Sequence, residues 1–194
     1  YHPYEILEVI RSKYPKLIQK KIYFNATSYL FSKSGDEMKT DSVIYTFFND
    51  YDGNTFEPIH ETEEHAFSGK YSEWMDSTKT FSTSVKTPVE EIPESADRYA
   101  IFSAKVYFDK LPEQASINLA FDDSTHSYQF HGAGLTDYCH EPGKWYSILI
   151  CGEFPRSAKK GDKLTAYFHN PAGEKFWIDD FKLVVRTSHN PYKK

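Results

Sequence analysis

Two different rhythms of apolar and polar positions divide the chain. From Tyr4 to Lys13, Ile6, Leu7, Val9, Ile10 and Tyr14 recur at helical spacing and form one stripe, and Pro15 closes it. Pro15 is also placed to open a second short helix over 16–20. Short apolar runs follow at Ile22-Tyr23-Phe24, Tyr29-Leu30-Phe31 and Val43 to Phe48, with a turn at Ser34-Gly35-Asp36. This lead-in, residues 1–50, combines a helix with short strands and is too small for a domain of its own.

From residue 51 onward the helical period disappears. Phe56-Glu57 opens a series of predicted strands at 68–74, 81–86, 99–108, 115–121, 126–130, 145–151, 163–170 and 175–186. Turn chemistry separates them: Asp52-Gly53-Asn54, Leu111-Pro112, Asp122-Asp123-Ser124, Gly132 to Gly134, Pro142-Gly143, Gly161-Asp162 and Pro171-Ala172-Gly173. Eight or nine short strands at this spacing predict an all-β jelly-roll sandwich over 51–194. One strand breaks its own alternation. In Phe176-Trp177-Ile178-Asp179-Asp180-Phe181-Lys182-Leu183 the apolar phase slips at the two aspartates, which predicts a bulge there.

Composition sharpens this picture. The chain holds 15 Tyr, 15 Phe and 3 Trp in 194 residues, more than its Ile, Leu and Val combined, and such rings favour a pleated sheet. A net charge of −5 argues against binding a phosphate backbone, and no apolar run reaches the roughly 20 residues of a membrane helix. Cys139 and Cys151 sit too far apart along the predicted strand and turn to bridge, and are expected as two free thiols.

Familiar catalytic signatures are missing: no Gly-x-Ser-x-Gly, no phosphate-binding glycine loop, no Cys-x-x-Cys, no His-Glu-x-x-His. The His60/His65 and His126/His131 pairs have odd spacing, which sends strand side chains to opposite faces. The doublets Glu90-Glu91 and Asp122-Asp123 read as loop solvation. A hydrolase would need two carboxylates facing one another across a cleft. Asp179-Asp180 stands apart, because carboxylates at a bulge against a core strand need a partner, and a hard cation is a natural one.

Five short pieces in order carry a resemblance: Asn54-Thr55-Phe56-Glu57, Ala66-Phe67-Ser68-Gly69-Lys70-Tyr71-Ser72, Gly143-Lys144-Trp145-Tyr146, Gly161-Asp162-Lys163-Leu164 with Tyr167, and Trp177-Ile178-Asp179-Asp180-Phe181. Over residues 54–186 the chain resembles the galactose-binding-like jelly rolls, in particular the xylan- and glucan-binding carbohydrate-binding modules. The resemblance implies a structural calcium ion (Ca2+) between the first and last strands. Glu57 and Asp179 would supply carboxylate oxygens and Lys70 a backbone carbonyl. It also implies sugar recognition by aromatic stacking, for which Trp74, Tyr128, Phe130 and Tyr138 are the candidates, while Trp145 and Trp177 are assigned to the core. Tyr14-Pro15-Lys16-Leu17, Tyr23-Phe24 and Tyr29-Leu30-Phe31-Ser32-Lys33 are similar to the tail that follows the membrane helices of bacterial glycosyltransferases akin to protein mannosyltransferases.

The expectation is therefore a non-catalytic, calcium-stabilised accessory domain of a glycan-handling protein on the periplasmic or extracellular side of the cell envelope. A membrane glycosyltransferase is the candidate parent. The alternative is a carbohydrate-binding module of a secreted or surface protein acting on polysaccharide, and a glycoside hydrolase is the third reading. Carbohydrate is the expected partner; nucleic acid is not.

Overall fold

The computed structural model describes residues 3–22, 27–34, 42–53, 61–95 and 97–187. Helix α1 spans Pro3–Lys13, as its stripe predicts. Residues after Pro15 form strand β1 (Lys16–Ile22) rather than a second helix, paired antiparallel with β2 (Thr27–Ser32). Hydrogen bonds to a neighbouring strand decide that segment, and its local preference does not.

Ten further strands build the sandwich: β3 (Val43–Asn49), β4 (Glu61–Thr62), β5 (Ser72–Met75), β6 (Val85–Pro88), β7 (Arg98–Tyr107), β8 (Ser116–Asp122), β9 (Ser127–Gly134), β10 (Tyr146–Glu153), β11 (Lys163–His169) and β12 (Phe176–Thr187). One sheet runs β10-β7-β12-β5-β4, with β3 paired to the second half of β12; the other runs β6-β11-β8-β9. Every strand pair in both sheets is antiparallel. The chain is an all-β jelly-roll sandwich. Strand β3 belongs to it, although the sequence pattern places that segment in the lead-in.

Aromatic rings fill the space between the sheets. Phe102 of the larger sheet meets Phe168 of the smaller at 5.5 Å between centroids and Phe181 at 4.3 Å, and Phe121 meets Phe154 at 4.7 Å. Met75, Leu119, Phe176 and Leu183 are completely buried around them. Each such side chain contributes about 1.5–3 kcal/mol by leaving water. The ring surplus thus accounts for the core.

Trp145 and Trp177 lie outside that core. Trp177 is fully buried, but on the outer face of the six-stranded sheet, beneath the 63–70 loop. His65 packs edge-on at 4.4 Å from its ring and stacks on Tyr107 at 4.1 Å; Trp145, half-buried, meets Tyr107 and Phe67. Alternation along β12 explains the placement. Phe176 and Ile178 face inward, so Trp177 must face out. The predicted bulge is present: the β12–β7 register slips between Asp179 and Lys182, Asp180 adopts φ +48°, and Phe181, Leu183 and Val185 then face inward.

Both cysteines are free, and burial pushes the Cys139 thiol up to about 12 and the Cys151 thiol up to about 11, so neither is a reactive thiolate at neutral pH.

Candidate functional site

The outer face of the four-stranded sheet is built from alternate residues of its strands. On β8, Ile117, Leu119 and Phe121 point inward, leaving Ser116, Asn118, Ala120 and Asp122 outward. On β11, Leu164, Ala166 and Phe168 point inward, leaving Lys163, Thr165, Tyr167 and His169 outward. The pairing registers then place side chains in rows. One row is Lys86–Thr165–Ala120–Phe130, the next Tyr167–Asn118–Gly132, and a third Phe81–His169–Ser116–Gly134.

These outward positions are not equally wet. Asn118, Ala120 and Thr165 are 2%, 1% and 4% exposed although they face away from the core, while Phe130 and Phe81 are 56% and 53% exposed. A sunken polar strip therefore runs between two raised aromatic rims. Phe81 forms one rim with His169, stacked at 4.8 Å, and with Tyr167, edge-on at 5.8 Å. Phe130 forms the other. Its ring edge lies over Gly132, where a Cβ would fall 2.8 Å from Cε1 and 2.5 Å from Asn118 Oδ1. Only a residue without a side chain leaves room for the ring to lean over the strip.

Hydrogen bonds fix the floor. Asn118 Nδ2 donates to the Ser116 carbonyl at 3.1 Å and to its hydroxyl at 3.0 Å, while the Thr165 and Ser127 hydroxyls donate to Asp122. Burial, with the nearby Asp122 charge, raises the Tyr167 hydroxyl above its ordinary value.

The rim carrying Phe81 is anchored from inside. Ser82 N–H donates to Phe168 O at 3.0 Å, and Ser82 Oγ accepts from Phe168 N–H at 2.8 Å. One residue on, Thr83 N–H donates at 2.6 Å to Glu73, a carboxylate 1% exposed that also accepts from Lys79 Nζ and from Tyr51 Oη. The segment bearing Phe81 is thus pinned to both sheets.

Of the aromatic candidates expected to stack on sugar, Phe130 stands in this trough. Tyr128 packs against the core and donates its hydroxyl to Asp162 at 2.9 Å. Tyr138 likewise packs inward and donates to the Leu149 carbonyl. Trp74 sits on the opposite sheet, in register with Trp177. Phe81, Tyr167 and Asn118 escaped the sequence reading as site residues, because nothing local distinguishes an outward strand residue that its neighbours shield from one left exposed. Alternation along 115–121 and 163–170 held part of that signal.

The expected calcium ligands are placed as follows. Asp179 is fully buried on the outer face of the larger sheet; its Oδ2 accepts from Phe67 N–H at 2.7 Å and Ser68 N–H at 3.1 Å, and its Oδ1 from Asp180 N–H at 2.6 Å. Burial raises its carboxyl to about 6 against these bonds. Lys70 pairs its ammonium with Glu63 at 2.8 Å, and Glu57 lies outside the described residues. Among the described residues no three acidic, His or Cys side chains gather as a metal cluster. The donor chemistry of Asp179 still fits a hard cation. It is a buried carboxylate without an ion-pair partner among the described residues, and three accepted bonds leave one of its lone-pair sites open.

No family model and no curated protein sequence matches the chain. Among solved structures, it is similar to a family 16 carbohydrate-binding module (13% identity, TM-score 0.44, 64% of this chain and 83% of that one). It is also similar to the CBM22-1 xylan-binding domain from Paenibacillus barcinonensis Xyn10C (15% identity, TM-score 0.42, 76% and 96%). A third likeness is to the C-terminal family 22 module of Clostridium thermocellum Xyn10B (11% identity, TM-score 0.40, 69% and 82%).

Proposed function

We propose that the sandwich is a non-catalytic carbohydrate-binding domain whose sugar site is the trough on the outer face of the four-stranded sheet. The observation that carries this reading is the sunken strip of Asn118 and Thr165 between the exposed rings of Phe130 and Phe81. A pyranose ring has an apolar face and an equatorial rim of hydroxyls. Aromatic rims receive the first, and the partly exposed polar groups beside them, the Tyr167 hydroxyl and the His169 imidazole, exchange hydrogen bonds with the second. Pre-positioned side chains keep the entropy lost on binding small.

The test is titration calorimetry with neutral xylan, mixed-linkage glucan and cellulose oligosaccharides. Phe130→Ala is expected to weaken binding about tenfold, since one aromatic contact is worth about 0.5–1.5 kcal/mol beyond its buried area. Unchanged affinity in Phe130→Ala and Tyr167→Ala would overturn the site.

A calcium ion held by Asp179, Glu57 and the Lys70 carbonyl would tie the 67–70 loop to the last strand, adding charge neutralisation at a buried carboxylate. Placement outside the cytoplasm as part of a glycan-handling protein, a membrane glycosyltransferase being the candidate parent, follows from the sequence resemblances. No helix of the described residues is long and apolar enough to cross a membrane. The reading frame upstream of Tyr1 tests the parent: several membrane-spanning segments support it, and a secretion signal alone overturns it.

A further inference from the structure

We propose that the chain held in the trough carries a uronic acid, its carboxylate received at the end of the trough by Lys86 and Lys163; this rests on the trough being the sugar site. Lys86 lies between the inward-facing Val85 and Thr87, and Lys163 precedes the inward-facing Leu164, so both ammonium groups stand on the trough face. Lys86 is in register with Thr165, two residues from Lys163 on the same strand. Such diagonal neighbours are roughly 7–8 Å apart at the base, which two long flexible stems close easily. Both lysines are exposed, and neither has an ion-pair partner among the described residues.

The local charge selects the ligand. Asp122 is the neighbour of Lys163 across the ladder, and its oxygens already accept from Thr165 and Ser127. Glu90 is turned to Gly161 N–H at 3.2 Å, and Asp123 to its own loop through Thr125 and His126. Buried Asp162, next to Lys163, accepts from the Tyr128 hydroxyl and from Lys159 N–H, so the carboxylates here are engaged by hydrogen bonds while the two ammonium groups are without ion-pair partners among the described residues. One carboxylate per recognised segment fits two neighbouring ammonium groups. A densely sulfated chain brings more negative charge than these groups offset.

The experiment compares affinities of the whole chain for four probes: neutral xylohexaose, an aldouronic xylo-oligosaccharide with one glucuronate branch, an oligogalacturonate and a sulfated oligosaccharide. A uronate-bearing probe is expected to bind about three- to tenfold more tightly than the neutral one, the range for two exposed ion pairs. The branch and backbone arms show which position the acid occupies. The preference is expected to shrink as salt rises from about 0.05 to about 0.5 M. It should vanish in the Lys86→Gln/Lys163→Gln double variant while neutral-sugar affinity is kept. Equal binding of neutral and acidic probes, persistence of the preference in the double variant, or tighter binding of the sulfated probe would each overturn the uronate inference and leave the sugar site standing. Acidic binding indifferent to Phe130→Ala, or no binding of any probe, would overturn the site itself.

Discussion

At the scale of single residues, the site depends on what is missing as much as on what is present. Gly132 is required by close approach, since no positive φ is involved and a Cβ would meet the Phe130 ring and Asn118 Oδ1. Gly132→Ala is expected to push Phe130 off the strip, weakening glycan binding several-fold for a stability loss of about 1–3 kcal/mol, the overpacking range, because buried Asn118 must shift together with the ring. Calorimetry and urea unfolding on the same variant check the two effects separately. Gly69 carries a different requirement. At φ +58° its missing Cβ makes room for Asp52, whose carboxylate accepts from the N–H groups of Lys70 and Tyr71. The sequence marks both glycines equally, and only the neighbours across space separate their roles.

At the scale of elements, the β12 bulge turns Asp179 toward the 63–70 loop, where it holds two loop N–H groups. That loop roofs Trp177, so the bulge controls a second, smaller apolar layer on the outer face. Its carboxyl, raised to about 6 in the folded chain, lies above the ordinary carboxylate value in the unfolded one. Folding therefore favours the protonated form: the contribution is present at low pH and is lost as pH rises through about 6. Compared with Asp179→Asn, the calcium-free protein is expected to lose on the order of 2 kcal/mol more stability between pH 4 and 7, because each tenfold gain in proton affinity on folding is worth about 1.4 kcal/mol. Denaturant unfolding across that range, with chelator, measures it. Added calcium is expected to reduce the difference near pH 7, because the ion binds only the ionised carboxylate. The bulge was legible as a break in alternation, whereas the loop it captures was not, because 111 residues separate Ser68 from Asp179.

At the scale of the whole molecule, the limits of the sandwich decide what can be cut away. β3 pairs along β12 from Asn49 to Val43, with Ile44, Tyr45 and Phe47 packed against the core, while β1 and β2 pair only with each other. A chain starting at Ser42 is expected to melt within a few degrees of the full protein. One starting at Tyr51, the boundary the sequence pattern favours, exposes the edge of β12 and removes three partly buried apolar side chains. It is expected to lose several kcal/mol, by area removed from water, and to aggregate through the freed edge. Thermal melting and light scattering on the two truncations distinguish these outcomes.

What the sequence by itself determined is the repetitive part of the structure. Period-two alternation and turn residues specify strands β7, β8, β10, β11 and β12 to within a residue or two, and the ring surplus specifies an aromatic core, because both act through neighbours along the chain. Strand partners, the outward placement of Trp177, the capture of the loop by Asp179 and the trough between Phe130 and Phe81 were decided by tertiary structure. Each depends on which strands lie side by side and in what register. Alternation tells a side chain which face it is on, but only the register across strands tells it whether that face is sunken or raised, and so whether an outward asparagine lies at the bottom of a site or on an open surface.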